Sequence, residues 1–270
     1  PGGKLSGIMK LSASASNSNY TLLAPYLTEQ VETNPNLYNV INSELLGNKG
    51  LLVYISVFYP APISEVSKFH RFVLDNREIL DNRVPYAELG IIYSYKSVLA
   101  TTTVSQFSPY PHTEDFLGWT NALTEKHIQY DVIIQEKMNE KLLFKYKTIL
   151  IPSVTVMSNS QISFIESYLK NGGKIIIDFE SSIRDTTLIK RVNYGMSPIL
   201  EINYGQEPSE KYGNYGSGRF YYSKNSLGVL YRQGNIVYRD KIYAVLDSLV
   251  LDRFVETNAK NTVGINLYRQ

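Results

Sequence analysis

Short apolar segments alternate with helix-like patterns between residues 86 and 182. The segments are 87–94, Tyr130–Ile134 and Thr148–Ile151, and a fourth, 174–179, follows a pair of glycines. Near-continuous apolar runs of this length are typical of strands that helices cover on both faces. We therefore predict four strands of one buried sheet.

Helical patterns fill the gaps between these strands. Apolar positions recur at helical spacing over residues 64–80, with Ser64 as the predicted N-cap, and Thr113 opens a second helix with two acids in its first turn. A short helix or turn covers 136–143. Ser158 caps a further helix that ends at Gly172. The β-α-β-α-β order predicts right-handed crossovers and a doubly wound, mainly parallel α/β sheet.

The pattern is weaker at both ends of the chain. Within the first sixty residues only 51–58 has the pattern of a strand. After residue 182, a stretch rich in Gly and Tyr covers 204–222. We predict strands at 227–231 and 236–238, a closing helix at 242–254 and a last strand at 263–268.

Composition narrows the class of protein. The 270 residues are 43% hydrophobic with a formal net charge of +2, and the basic residues form no stripe, so a nucleic-acid-binding face is not expected. No apolar run is long enough to cross a bilayer, and the first four residues lack a signal-peptide pattern. We expect a soluble chain, in the cytoplasm rather than secreted. If the chain were exported, Asn19-Tyr20-Thr21 would be a glycosylation acceptor.

Five segments together resemble a known domain. They are 87–94, 116–123, 127–133, 146–152 and 172–177. They resemble the trimerisation domain that follows the catalytic barrel in family 42 β-galactosidases and related glycoside hydrolases. The resemblance implies a flavodoxin-like sheet of the class I glutamine-amidotransferase type. It covers residues 69–182 well and the rest of the chain loosely.

The resemblance also implies a domain organisation. Residues 1–63 are an N-terminal extension whose opening resembles the end of a barrel, 64–258 are the amidotransferase-like domain, and 259–270 resemble the start of a β-sandwich. In this family the preceding barrel carries the catalytic carboxylates. The chain therefore resembles a fragment of a glycosidase or one subunit of a split enzyme, and a complete short gene is the alternative.

The chemistry of an amidotransferase is excluded by composition. That fold places a catalytic Cys in the turn after the fourth strand, and this chain contains no cysteine. The corresponding turn is Asp178-Phe179-Glu180-Ser181-Ser182. Ser181 as a substitute nucleophile needs a nearby histidine and a glycine-flanked elbow, and the sequence shows neither.

Other polar residues lie where the predicted strands end. Asp178 and Glu180 are candidates for acid-base work at a glycosidic bond, with hydrogen bonding to loop amides or an interface contact as the alternative reading. Ser94, His112 and Ser153 are candidates for substrate binding. His112 is predicted in a loop, at the lip of a site or simply exposed. His127 is predicted at a helix end, and the three histidines match no metal motif.

Tyrosine is the last compositional signal, with 22 residues. The cluster at 204–222 fits sugar stacking, a subunit interface or ordinary packing. We expect no cofactor, no metal and no nucleic acid. The leading hypothesis is a non-catalytic oligomerisation domain that associates with itself or with a catalytic barrel, and that completes a carbohydrate site. An autonomous glycan or ester hydrolase and a sugar-binding module are the alternatives.

Overall fold

The computed structural model describes residues 3–16, 21–23, 35–48, 50–52, 63–81, 83–101, 111–234, 236–250, 255–260 and 265–269. Its helices are α1 (Gly3–Ala15), α2 (Pro35–Gly47), α3 (Ile63–Asp75), α4 (Arg77–Asp81), α5 (Tyr95–Thr101), α6 (Pro111–Glu125), α7 (Glu140–Leu143), α8 (Asn159–Lys170), α9 (Ser197–Leu200), α10 (Leu227–Arg232) and α11 (Ile236–Leu249). Its strands are β1 (Thr21–Leu23), β2 (Gly50–Leu52), β3 (Val84–Pro85), β4 (Leu89–Tyr93), β5 (Tyr130–Ile134), β6 (Thr148–Ile151), β7 (Lys174–Asp178), β8 (Glu210–Tyr215), β9 (Gly218–Ser223) and β10 (Tyr268–Arg269).

Six strands form the central sheet in the order β5-β4-β6-β7-β9-β8. The pairs among β5, β4, β6, β7 and β9 are parallel, and β8 pairs antiparallel with β9 at one edge. In chain order the parallel strands therefore lie 2-1-3-4-5. The predicted mainly parallel α/β sheet is confirmed.

Helices cover both faces of this sheet. One face packs Ile149, Ile175 and Phe220 against residues of α7, α8 and α9. The other packs Ile91, Leu150 and Ile176 against residues of α6, α10 and α11. Alternate residues of each strand thus enter opposite cores, as the period of two along a strand requires. Burial on both faces explains why the strands are apolar without interruption.

The predicted elements between residues 87 and 178 agree closely with the structure. β5 and β6 have the predicted bounds. Ser158 accepts from the backbone N–H of Gln161, and the Gln161 side chain closes the capping box. After α8 the chain turns at Gly172, whose φ of +93° suits glycine.

Two helix starts differ from the prediction. α3 begins at Ile63, so Ser64 lies inside the helix rather than at its N-cap. α6 begins at Pro111, which places His112 in a helix and not in a loop. Proline is favoured in the first helical turn because the donor it lacks would be unpaired there.

The chain after residue 182 contains the main corrections. The stretch rich in Gly and Tyr forms the hairpin β8–β9, and the predicted strands at 227–231 and 236–238 are the helices α10 and α11. Branched and aromatic residues favoured the strand interpretation, but both segments pack as helices against α6 and the sheet. The predicted closing helix is the later part of α11, and residues 251–254 lie outside the described residues.

The N-terminal region contains more helix than predicted. α1 packs against α6 and β5, and the Lys10 ammonium donates to the backbone oxygen of Tyr130 over 2.7 Å. β1 and β2 pair in parallel, and β3 pairs antiparallel with β10. Of the predicted strands, 53–58 and 263–264 lie outside the described residues. No helix in the described ranges is long and apolar enough to span a membrane.

Candidate functional site

The structure brings four of the five candidate residues together at one edge of the sheet. Ser94 follows β4, Ser153 follows β6 and Asp178 ends β7, while His112 reaches the same edge from α6. The carboxyl ends of parallel strands meet there, which is where ligands bind in open α/β sheets. We call His112, Asp115, Trp119, Ser153, Asp178 and Ser226 the strand-end cluster. Ser94, His112, Ser153 and Asp178 are each at most 1% exposed.

Ser153 connects the two carboxyl groups of the strand-end cluster. Its hydroxyl donates to Oδ2 of Asp115 over 2.6 Å and lies 2.9 Å from the hydroxyl of Ser226. Its backbone N–H donates to Oδ1 of Asp178 over 2.8 Å. Ser153 holds a left-handed φ of +45°, a strained conformation for serine that a dense set of contacts can maintain.

Asp115 and Asp178 also hold the start of α10. Oδ1 of Asp115 accepts from the backbone N–H groups of Gly228 at 2.7 Å and Val229 at 3.3 Å. Oδ2 of Asp178 accepts from the Trp119 indole N–H at 2.9 Å and from the Leu227 backbone N–H at 3.2 Å. The first backbone donors of a helix have no partner within it, so these carboxyl oxygens satisfy three of them.

The pKa values of the Asp115 and Asp178 carboxyl groups are both raised. Burial raises the pKa of Asp115 well above its ordinary value, and the neighbouring charge of Asp178 raises this pKa further. Burial also raises the pKa of Asp178, although its hydrogen bonds from Asp115, Trp119 and backbone groups oppose the rise. Burial therefore favours the neutral form of both carboxyl groups, and the two groups titrate as a coupled pair.

Both ring nitrogens of His112 form hydrogen bonds with the backbone. Nε2 accepts from the Ser94 backbone N–H at 2.8 Å, so Nδ1 carries the proton and donates to the backbone oxygen of Pro152 at 2.7 Å. Burial lowers the pKa of His112 to about 4. The imidazole is thus neutral near pH 7 and joins the end of β4 to the end of β6. Neither ring nitrogen is available to activate the Ser153 hydroxyl.

The turn after β7 has a strained backbone at Phe179 and contains no cysteine. Phe179 follows Asp178 with a φ of +50°, and its N–H donates to the Ser223 backbone oxygen at 2.8 Å. The Ser181 hydroxyl accepts from the Val154 N–H and donates to the Asp178 backbone oxygen. Glu180 is half-buried and lies outside the strand-end cluster. The Ser181 hydroxyl thus serves loop geometry.

Sequence reasoning missed Asp115 and Ser226. Asp115 was interpreted as an acid that favours the start of its own helix, whereas it binds the start of α10, 113 residues later. Trp119 lies on the same helix, and its ring is fully buried. A signal existed in the spacing, because Asp115 and Trp119 are i and i+4 and therefore share one helix face.

The remaining histidines lie apart from this edge. His70 is exposed on α3. His127 follows α6 with a φ of +56°, and its Nε2 lies 3.2 Å from the backbone oxygen of Ala259. It lines a cleft of about 350 Å³ together with Lys126, Asp247 and Glu256. Across the described part of the chain, no group of three or more acidic or histidine side chains is arranged to hold a metal ion.

The tyrosine cluster divides between packing and surface. Tyr221 and Tyr222 are buried in β9. Tyr212 is 54% exposed and its ring centroid lies 4.8 Å from that of Tyr221. Tyr204 is 40% exposed beneath the Lys190 ammonium, which lies 3.8 Å from the ring centroid. Packing therefore accounts for Tyr221 and Tyr222, whereas Tyr204 and Tyr212 are exposed at the surface.

Within the described residues, these features define an α/β domain whose strand ends carry a buried, hydrogen-bonded polar cluster. Residues 87–202 match the family model described as the beta-galactosidase trimerisation domain. The resemblance predicted from the sequence is therefore confirmed. The matched range contains the parallel strands β4 to β7 and the polar residues at their ends, apart from Ser226.

Solved structures share the fold over a longer range. A catalytic mutant of Gan42B, a GH42 beta-galactosidase from G. stearothermophilus, has a TM-score of 0.77 at 14% identity and covers 99% of this chain and 49% of that chain. The cold-adapted beta-galactosidase from Rahnella sp. R3 has a TM-score of 0.73 at 14% identity, with 95% and 49% covered. An exo-beta-1,4-mannosidase from Opitutaceae bacterium strain TAV5 has a TM-score of 0.61 at 10% identity, with 92% and 55% covered. The chain spans about half the length of these proteins.

Proposed function

We propose that this chain is a non-catalytic assembly domain of a glycoside hydrolase of the β-galactosidase type. In this role it associates with further copies of itself and with a catalytic barrel. The family match over residues 87–202 supports the assembly role. The similarity of fold to two beta-galactosidases and a mannosidase supports a carbohydrate-active context.

The closed strand-end cluster is the observation that carries the non-catalytic part of the proposal. Ser153, Asp115 and Asp178 bind one another and the backbone of α10, and His112 binds the backbone at both ring nitrogens. A hydrolytic serine needs a free base and access to its substrate. In this arrangement the polar side chains hold helices on the sheet, which is a structural task.

The strand order of the sheet supports a more specific fold assignment. The order 2-1-3-4-5 of the parallel strands is the order of flavodoxin-like doubly wound sheets. Helices on both faces agree with that type of sheet. We infer that the domain is a flavodoxin-like, amidotransferase-type fold in which the nucleophile position after β7 is occupied by Phe179.

We further propose that this edge of the sheet completes a carbohydrate site on the partner barrel. The side chains of Ser94, His112 and Ser153 are buried at this edge and lie below its surface. Tyr95 follows them at the surface with 45% exposure, and its ring packs edge-on against Tyr93 with centroids 5.2 Å apart. A fixed and exposed aromatic ring suits contact with a sugar face.

Light scattering of the 270-residue chain over a range of concentrations tests the assembly role. We expect a trimer, and a strict monomer at every concentration that also fails to bind a family 42 barrel would overturn it. Nitrophenyl β-galactoside supplied to the chain alone should give no turnover. Turnover that disappears in Asp178→Ala or Glu180→Ala, while Lys145→Glu retains it, would instead establish the autonomous hydrolase.

Tyr95→Ala tests the completed site. In an assembly of the chain with a catalytic barrel, we expect this variant to raise KM for nitrophenyl β-galactoside and to leave the mass of the assembly unchanged. Tyr212→Ala is the matched control, because it also removes an exposed tyrosine that packs on a buried one. Equal KM values for the two variants would contradict the proposed site.

A further inference from the structure

A polar cleft lies beside the amino end of β5, away from the strand-end cluster. It has a volume of about 70 Å³ and is formed by α1, β3, β5, the residue after α2 and residues 266–268. Lys10, Ser14, Asn48, Asp131 and Asn266 are among the polar residues that line it. We call it the Lys10 cleft. A concave site with a few converging polar groups is the usual form of a small-molecule site.

Lys10 brings an ammonium with spare donors to this cleft. Its Nζ donates to the Tyr130 backbone oxygen at 2.7 Å and lies 4.6 Å from the centroid of the Tyr130 ring. An ammonium carries three donors, so this hydrogen bond uses one of them. Burial lowers the pKa of Lys10, and the charge of Asp131 opposes that change. A partner that accepts from Lys10 would therefore compensate a cost of burial.

Asn48 brings an unused acceptor to the same cleft. Its Nδ2 donates to the Glu44 backbone oxygen at 2.8 Å and to the Ser6 hydroxyl at 3.3 Å. Its Oδ1 is buried and has no hydrogen-bond partner within the described residues, and the whole residue is 5% exposed. Buried polar atoms are nearly always hydrogen-bonded. The free Oδ1 therefore indicates a donor that the chain itself does not supply.

Hydrogen bonds hold the C-terminal wall of the cleft in place. The Gln129 side chain donates to the Ile265 backbone oxygen at 2.8 Å and accepts from the Leu267 N–H at 3.1 Å. The Tyr268 hydroxyl donates to the Gly47 backbone oxygen. The wall is thus joined both to β5 and to the end of α2. A site whose walls are already held loses little entropy on binding.

The charges around the cleft favour a neutral ligand. Lys10 and Asp131 give the lining one cation and one anion, so its formal charge is zero. Beside the lining, Arg83 and Lys137 each donate to a backbone oxygen, and Glu44 accepts from a serine hydroxyl. A carboxylate or phosphate ligand would be attracted by Lys10 and repelled by Asp131. A neutral ligand that both accepts and donates suits both side chains.

We propose that the Lys10 cleft binds one neutral sugar ring through its hydroxyl groups. A hydroxyl is both a donor and an acceptor, so one hydroxyl accepts from Lys10 and donates to Asp131. A second hydroxyl supplies the donor that Oδ1 of Asn48 lacks. The choice of a sugar among neutral polyols rests on the proposed glycosidase context. The site itself is separate from the edge at Tyr95.

The size of the cleft limits the ligand. A water molecule needs about 10–15 Å³ of such a volume, so the cleft of about 70 Å³ has room for roughly five waters. The hydroxyl groups of a single sugar ring replace waters on this scale, whereas a chain of sugars does not fit. We therefore expect monosaccharide binding with one site per chain.

Calorimetric titration of the 270-residue chain with D-galactose tests the site. We expect saturable binding that Lys10→Met and Asp131→Asn each weaken about tenfold or more, because each change removes a hydrogen bond to a charged group. Lys145→Met, which changes an exposed lysine outside the cleft, should bind as the wild type does. Circular dichroism of each variant verifies that it is folded.

Other outcomes of the titration would overturn the proposal. Absence of saturable D-galactose binding would refute it, and so would binding that both cleft variants leave unchanged. Binding of glycine or inorganic phosphate without D-galactose would show a site for charged ligands instead. A trimer that binds no sugar would refute the cleft but not the assembly role, and a monomer that binds D-galactose in the cleft would refute the assembly role alone.

Thiol protection locates the sugar without changing a charge. Because the chain contains no cysteine, Ser14→Cys provides a single thiol at the cleft, and Ser160→Cys provides a matched thiol on the exposed surface of α8. D-galactose at about ten times its Kd should slow the alkylation of Ser14→Cys about tenfold and leave that of Ser160→Cys unchanged. Equal alkylation rates of Ser14→Cys with and without the sugar would place the sugar elsewhere and refute the proposal.

Discussion

Trp119 donates its indole N–H to Oδ2 of Asp178 over 2.9 Å, and both side chains are buried. This hydrogen bond joins the middle of α6 to the last residue of β7. The same carboxyl oxygen accepts from the Leu227 N–H, so one atom connects two helices and a strand. The strand-end cluster therefore holds α6 and α10 against the end of β7.

Trp119→Phe should destabilise the fold by about 2 kcal/mol, because it removes a hydrogen bond to a buried carboxylate and leaves a gap in the core. Urea unfolding of the wild type and the variant measures this difference. A double-mutant cycle with Asp178→Asn isolates the hydrogen bond. The two changes should couple by about 1 kcal/mol or more, and additivity within about 0.4 kcal/mol would show that the bond contributes nothing.

Asp115→Asn and Asp178→Asn should have very different effects. Asparagine at 115 keeps an oxygen for Gly228 and Val229 and directs its N–H groups at the Ser153 hydroxyl, which can accept, so we expect a loss within about 1 kcal/mol. At 178 an amide must face either the Ser153 N–H or the pair formed by Trp119 and Leu227, which are all donors. That conflict should cost about 3 kcal/mol in urea unfolding. Equal losses would show that the three donors around Asp178 tolerate an amide.

The pH dependence of stability should reveal His112 and Asp115 as opposing groups. Burial lowers the pKa of His112 from 6.5 to about 4, so the unfolded state binds more protons between these values and stability falls as the pH falls through this window. Burial raises the pKa of Asp115 from 3.8, so the folded state binds more protons and stability rises as the pH falls.

Single variants separate the two contributions. Asp115→Asn should reduce the opposition to the His112 effect, so that stability drops more steeply between pH 6.5 and 4 than in the wild type, by up to about 3 kcal/mol. His112→Gln should give the opposite slope in the same window. Urea titrations at several pH values measure both slopes, and slopes of the same sign would contradict the assignment.

Gly118→Ala should prevent α6 and α10 from packing. A methyl group on Gly118 would collide with the backbone of Gly228, which cannot move without breaking its hydrogen bond to Asp115. We expect a loss above about 3 kcal/mol, measured by thermal or urea unfolding. Gly205→Ala is the control. Its Cβ has open space, so only the strain at a φ of +84° applies, at about 1 kcal/mol. Similar losses at both positions would show that the helix contact is not tight.

The pattern of the sequence predicted the sheet because that part of the chain is locally consistent. β5, β6 and α8 combine uninterrupted apolar runs, a capping box and a terminal glycine, and each of these acts within a few residues. The helix α10 and the first residues of α11 were predicted wrongly for the opposite reason. Their branched and aromatic residues favour strands, and contacts with α6 and the sheet decide the outcome.

The sequence alone determined the absence of a cysteine nucleophile and predicted the parallel strands, because composition and short-range periodicity suffice for these. The resemblance to the family was carried by five segments of the sequence. Only the tertiary structure decided what the polar residues do. Asp115 reaches α10 across 113 residues, and His112 loses its charge because it is buried between two strand ends. Protonation depends on burial, and hydrogen-bond partners come from distant segments of the chain. The local spacing of residues predicts neither of them.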